Sequence, residues 1–346
     1  MLILYLVIII LLVLWRIRFS SENDYMSKDR CNSIKGIFIL FIFLTHSLQY
    51  IKASDYAFPG IDALTPVIAS FIGQLVVVMF LFYSGYGVAT QILSKGEKYV
   101  EQMPKHRILN TLLNFDIAVC FFIVLALFLS QPLSIKQVFL SFLAWDSVGN
   151  SNWYIFVIIV CYILTYLAHR ISSQYIGVVL FLFCVIVMLL LSFYKERWWH
   201  DTILTYPVGF LYGQFKNHVE LVLKKYYFSI LLMLSVIFFF THGFSHSLKG
   251  LVPNVMAISF ALIVVMITMR IRIDNSWLQW FGIHLFPIYI YQRLPMITIH
   301  HFWGDSFVSY CPFLYLVSCL LVTCLIAHYY KYWRISLNGT VLKMGH

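Results

Sequence analysis

The sequence predicts an all-α fold, a polytopic helical bundle in a membrane, and three observations predict it. Of 346 residues, 61% are hydrophobic and only 11% are charged, whereas soluble domains carry roughly 25% charged residues. Apolar runs repeatedly approach the ~20 residues a helix needs to cross a bilayer. The 24 Lys and Arg residues gather at the ends of those runs, as membrane topology requires. No polar stretch is long enough to fold alone, so one membrane domain is expected.

The runs follow in order. Eleven read as spans, near 1–17, 34–51, 66–92, 108–130, 152–169, 175–194, 201–215, 227–242, 254–270, 277–295 and 310–330. The total is thus about 10–11 transmembrane helices. Met1 to Leu14 is followed by Trp15, Arg16 and Arg18. A signal peptide carries its charge before the apolar stretch and a small-residue cleavage site after it. The order here is reversed, which reads as an extra uncleaved helix over 1–19 ahead of the main domain over 29–335. Ser134 to Trp145 is too short to span comfortably and reads as an interfacial or re-entrant helix.

Orientation follows from the cations. With the N-terminus outside, one set of loops takes 18 Lys and Arg residues, among them Arg16, Lys35, Lys105, Arg107, Lys331 and Arg334. The other set takes six: Lys52, Lys136, Lys195, Arg197, Lys249 and Arg293. Short cytoplasmic loops collect positive charge, so the C-terminus and the base of the Lys35 helix are expected in the cytoplasm. This distribution also accounts for the net charge of +10 without a nucleic-acid partner. The seven cysteines are scattered, mostly within apolar runs. They read as small packing residues, and no zinc, dinucleotide or Walker signature occurs. No metal is expected.

Within the second span His46 stands alone among apolar residues. An imidazole at bilayer depth is costly and faces protein interior or a wet cavity, and its chemistry suits general acid/base work. It also suits a plain packing hydrogen bond. Lys35 lies eleven positions earlier. Over that spacing an α-helix returns to within roughly 20° of the same face and rises about 16 Å. Asp116, about two turns into the fourth span, is an intramembrane carboxylate and therefore a candidate. His242 and His246 fall in a loop on the outer side. Trp198-Trp199-His200-Asp201 falls where an aromatic belt lies; its rings suit interface anchoring or sugar stacking.

Several segments taken together resemble the membrane acyltransferase-3 family. That family opens with a basic residue, commonly Arg, then ten residues, then a His in its first core helix. Ile34 to Ser47 follows this pattern with Lys35 and His46. Lys keeps the charge but not the bidentate fork of Arg. Phe80 to Gly87, containing Ser84, resembles the family's Phe-rich Ser-Gly-aromatic run. Lys105-His106-Arg107-Ile108-Leu109 resembles its basic stretch before the next span, where two Arg three apart are common; here Arg107 is followed by Asn110. Asn152 to Phe156 resembles its Trp-Tyr helix start. Gly282 and Ile288-Tyr289-Ile290-Tyr291-Gln292 resemble a late span that often ends in Tyr and His, with Gln292 in the His position. The resemblance runs from about Asp29 to about Leu325.

The resemblance implies an integral membrane O-acyltransferase in the plasma (inner) membrane of a bacterium. It implies acetyl-CoA as donor and a cell-envelope polysaccharide or lipid-linked saccharide as acceptor. Lys35, Lys105 and Arg107 are then expected to hold the donor's phosphates by charge-assisted hydrogen bonds. His46 is expected to deprotonate the acceptor hydroxyl or to carry the acyl group itself. Ser84, Asp116, Tyr289 and Gln292 are the supporting candidates. Two other classes stay open at this point: a transporter or flippase of lipid-linked saccharides, and an inactive envelope-assembly partner.

Overall fold

The computed structural model describes residues 2–19, 24–244 and 250–336. These residues are overwhelmingly helical. The chain opens with α1 (Ile3–Leu14), a short strand β1 (Ile17–Phe19) and the long α2 (Lys28–Ala53). Helices α3 (Leu64–Ile72), α4 (Leu75–Lys95) and α5 (Glu97–Met103) lead into a π-helical turn, Pro104–Leu109. Then come α6 (Asn110–Phe128), α7 (Ile135–Phe142), α8 (Trp153–Ile171), α9 (Ile176–Tyr194) and α10 (Thr205–Gln214). The chain continues through α11 (Lys216–Lys225), α12 (Tyr227–Gly243), α13 (Leu251–Thr268) and strand β2 (Ile271–Ile273). It closes with α14 (Ser276–Ile283), α15 (Leu285–Tyr291), α16 (Arg293–Tyr310) and α17 (Pro312–Tyr329).

Among the described residues, seven helical stretches are long and apolar enough to cross a membrane, or eight if α11 and α12, bent by 96°, form one span. The other apolar runs make shorter helices. α1 has 12 residues and α10 has 10, and at about 1.5 Å per residue neither reaches across the ~30 Å core. The run near 277–295 breaks into α14 and α15 at His284. α16 kinks at Gly304, whose φ is 75°. Ser134 to Trp145 yields only the eight-residue α7, capped by the Ser134 hydroxyl accepting from the Gln137 amide at 3.1 Å. The strands were not foreseen. Their register pairs Arg18 with Arg272 in an antiparallel ladder that ties the end of α1 to the connection between α13 and α14.

Two helix crossings set the frame of the site. At the first, α2 crosses α14 so closely that a Cβ on Gly36 would strike the Leu278 carbonyl, and one on Gly282 the Asn32 carbonyl. At the second, α4 crosses α10, where Gly85 faces the Tyr206 carbonyl and Gly209 the Phe82 carbonyl. Small residues let helix backbones approach in a membrane, where dispersion and hydrogen bonds replace the hydrophobic drive between helices. The Ser84-Gly85 pair is thus part of a packing contact.

Candidate active site

His46 projects from α2 into a cavity of about 480 Å³. Three other segments form most of the rest of its wall. The first is the break between α3 and α4 at Gly73, whose φ of 44° turns the chain there. The second is the loop before α8, and the third is the start of α16 with Tyr289 of α15.

The loop holds its shape through its own polar side chains. Asn152 donates to the carbonyls of Ala144 and Asp146, both at 3.0 Å. The Ser147 hydroxyl donates to the Asn150 carbonyl at 2.7 Å and accepts from the Gly149 amide at 3.1 Å. The Asn150 side chain accepts from the Val148 amide at 3.0 Å. Positive φ at Ala144 and Gly149 closes the turns. The result presents Ser151, which is buried, to the cavity.

Ser151 Oγ lies 3.5 Å from His46 Nδ1 and accepts from Arg293 Nε at 3.0 Å. Arg293 also donates through Nη2 to Gln49 Oε1 at 2.7 Å. The Tyr289 ring centroid stands 6.4 Å from that of His46 and 5.3 Å from that of Tyr154. Gln292 is completely buried with its side chain turned to the imidazole, and its amide nitrogen donates to the Tyr289 carbonyl at 3.2 Å. His46, Tyr289 and Gln292 therefore meet. Gln49, Ser151 and Arg293 join them from positions that the sequence did not mark as chemical; Arg293 read there only as a topology charge.

Trp198 lines the same cavity and is 45% exposed. Its neighbour Trp199 is buried, stacked edge-on against Trp145 and Phe156. Lys195 Nζ sits 4.0 Å from the Trp145 ring and 4.2 Å from the Trp199 ring, and donates to the Trp145 carbonyl at 2.7 Å. Partial burial there pulls the Lys195 ammonium below its ordinary pKa. A wider groove of about 730 Å³ adjoins the cavity and shares Gly73 and Gln74 with it. His242 lines this groove, with Nε2 3.1 Å from the Phe71 carbonyl. His246 lies outside the described residues.

A second basin lies at the Lys35 end of the bundle. The π-helical turn aims Arg107 into a cavity of about 540 Å³. Arg107 Nε donates to the Tyr99 hydroxyl at 3.0 Å, and its guanidinium carbon stands 5.8 Å from the Tyr162 ring centroid. Tyr162 in turn shares a 2.8 Å hydrogen bond with Ser84. Lys331 and Arg334 complete the charged lining beside the imidazoles of His106, His284 and His328, and among the described residues no Asp or Glu lines it. Lys35 is half-buried near this end, with Nζ 3.4 Å from Asn32 Oδ1, 6.0 Å from the Tyr83 ring centroid, and within electrostatic range of Arg107. Lys105 is exposed and reaches neither cavity. Asp116 also lines neither; its Oδ1 is buried without a hydrogen bond.

No group of three or more His, Cys, Asp or Glu side chains among the described residues is arranged to hold a metal ion. Long apolar helices that enclose an imidazole cavity at one end and a basic basin at the other define a polytopic membrane protein built around buried polar chemistry. A family model described as an acyltransferase domain, that of the acyltransferase-3 family, matches residues 30–331. The chain belongs to that family and is a membrane acyltransferase. No curated protein and no solved structure gives a match.

Proposed function

We propose that this chain is an O-acetyltransferase of the bacterial inner membrane. It transfers acetyl from cytoplasmic acetyl-CoA to a hydroxyl of a cell-envelope polysaccharide or lipid-linked saccharide. The observation that carries this is the placing of two cavities along one helix. α2 carries both Lys35, which stands near the basic basin without lining it, and His46, which lines the polar cavity, about 16 Å apart along the axis. The excess of cations at the Lys35 end supports a cytoplasmic position for it.

The basin suits the donor. The phosphates of coenzyme A are made in the cytoplasm and need several cations, and Arg107, Lys331 and Arg334 converge without a competing carboxylate. Lys35, beside Asn32 and the Tyr83 ring, adds a further cation near this basin. Tyr162 and Tyr154 lie two turns apart on α8, and the Tyr154 ring packs against Tyr289, so the route inward for the pantetheine arm follows these three side chains. The acceptor enters from the opposite side, through the groove that joins the His46 cavity at Gly73 and Gln74. Trp198 at that mouth offers a ring face for a sugar.

His46 then takes the acceptor's hydroxyl proton as its oxygen attacks the thioester carbonyl, and returns that proton to the departing thiolate. The test is acetyl transfer in membranes carrying wild type or His46→Ala, with labelled acetyl-CoA and an extract of envelope lipid and glycan. Wild type labels the extract and the variant, at matched protein level, does not. Equal labelling removes His46 from the chemistry. Saccharide movement across the membrane without labelling makes the protein a transporter instead.

A further inference from the structure

Arg293 is placed for more than topology. It opens α16 one residue after Gln292 and turns into the His46 cavity. Both of its hydrogen bonds there go to neutral side chains, Ser151 Oγ at 3.0 Å and Gln49 Oε1 at 2.7 Å. Among the described residues no Asp or Glu lines the cavity. A guanidinium held this way has no carboxylate counter-charge in the cavity, and away from bulk water its charge acts strongly on whatever enters.

Its distance from His46 matters more. Ser151 Oγ touches both groups, 3.0 Å from Arg293 Nε and 3.5 Å from His46 Nδ1. When the imidazole takes a proton, two cations face each other across one hydroxyl. That arrangement is favourable only if a negative charge forms between or beside them at the same moment. Thioester attack forms one: the carbonyl oxygen becomes an alkoxide as the C–O bond is made.

We propose that Arg293 is a catalytic residue that binds this oxyanion. The inference rests on the acyl-transfer reading above. In the step, the acceptor oxygen bonds to the thioester carbon, its proton passes to His46, and the carbonyl π electrons move onto oxygen beside the guanidinium. On collapse those electrons re-form the C=O bond and the C–S bond breaks. The thiolate takes the proton back from His46, so the enzyme leaves the cycle unchanged. Gln49 and Ser151 fix the guanidinium plane beforehand, so the charge needs no reorganisation when the oxyanion forms.

Removal of an oxyanion partner typically lowers kcat by about 10²–10³-fold. The experiment compares wild type, Arg293→Ala and Arg293→Lys in proteoliposomes at matched protein, with labelled acetyl-CoA and the envelope lipid and glycan extract. Arg293→Ala is expected to lose about 10²-fold or more in kcat, with the KM for acetyl-CoA within about twofold of wild type. Added guanidinium ion should restore part of that rate. Arg293→Lys keeps the charge and the fold but not the fork, and is expected to lose rate without rescue by guanidinium. This variant also carries the test if the alanine variant does not reach the membrane. A raised KM with unchanged kcat would make Arg293 a clamp for an anionic substrate group and overturn the proposal. Unchanged kinetics in both variants would overturn it too. If wild type transfers no label, the acyl-transfer reading itself fails, and the role of Arg293 with it.

Discussion

Gly36 of α2 and Gly282 of α14 lie where each helix touches the other's backbone: a Cβ on Gly282 would meet the Asn32 carbonyl, and one on Gly36 the Leu278 carbonyl. This crossing holds the helix that carries both Lys35 and His46. α14 and α15 are separated only by His284, so the same crossing also sets the position of Tyr289.

Gly282→Val should therefore separate α2 from α14 and lower stability. Overpacking a filled interior costs about 1–3 kcal/mol, and a clash with backbone lies at the upper end because no flexible side chain can yield. The midpoint of thermal unfolding in detergent should fall, and acetyl transfer with it. Gly87→Ala is the control, since nothing lies within 4 Å of the added Cβ. An unshifted midpoint for Gly282→Val would mean that the crossing is not as tight as its geometry.

Ser151 offers a separate handle on the imidazole. Its hydroxyl lies 3.5 Å from His46 Nδ1. Ser151→Ala should leave acetyl-CoA affinity unchanged and lower kcat about tenfold, equivalent to about 1.4 kcal/mol of lost alignment. Steady-state kinetics separate the two parameters. A rise in KM alone would point to substrate binding rather than orientation.

The basic basin predicts which cations hold the donor. Arg107, Lys331 and Arg334 line it, whereas Lys105 does not. Paired Lys331→Ala and Arg334→Ala substitutions should weaken acetyl-CoA binding at least about tenfold, since charge-assisted contacts to phosphate are worth about 1.5–3 kcal/mol each. Lys105→Ala should leave it unchanged. Equilibrium binding to purified protein decides between them, and equal loss in both would place the phosphates outside the basin.

How much of this was legible before the structure varies residue by residue. The Lys35–His46 pair was, because one uninterrupted helix carries both and helical periodicity fixes their faces. The meeting of His46 with Tyr289 and Gln292 came from the ordered family motifs, not from spacing. Arg293, Ser151 and Gln49 were not legible as a group: they come from three separate elements, and only tertiary packing joins them. Arg293 and Lys331 looked like ordinary end-of-helix charges, since the sequence gives the side of the membrane but not the direction of a side chain. Hydropathy found the apolar runs but not their breaks. His284 interrupts a helix inside one apolar stretch, and α1 and α10 are too short to span, so eleven runs yield seven long spans among the described residues, or eight with the bent pair.

The last consequence concerns Asn114, which secures the chain beyond α17. Its side-chain nitrogen donates to the Ile335 carbonyl at 2.8 Å, and its oxygen accepts from the Ile335 amide at 2.9 Å. A single side chain thus pairs with backbone as a neighbouring strand would, and draws Arg334 to the basin wall. Asn114→Ala removes both bonds, worth about 0.5–1.5 kcal/mol each. Without them, the segment carrying Arg334 has more conformational freedom to lose when donor binds. Acetyl-CoA affinity should fall about three- to tenfold while kcat at saturation stays near wild type. Amide exchange over residues 333–336 should speed up in the same variant. Normal affinity together with fast exchange would show that this segment is not part of the donor site.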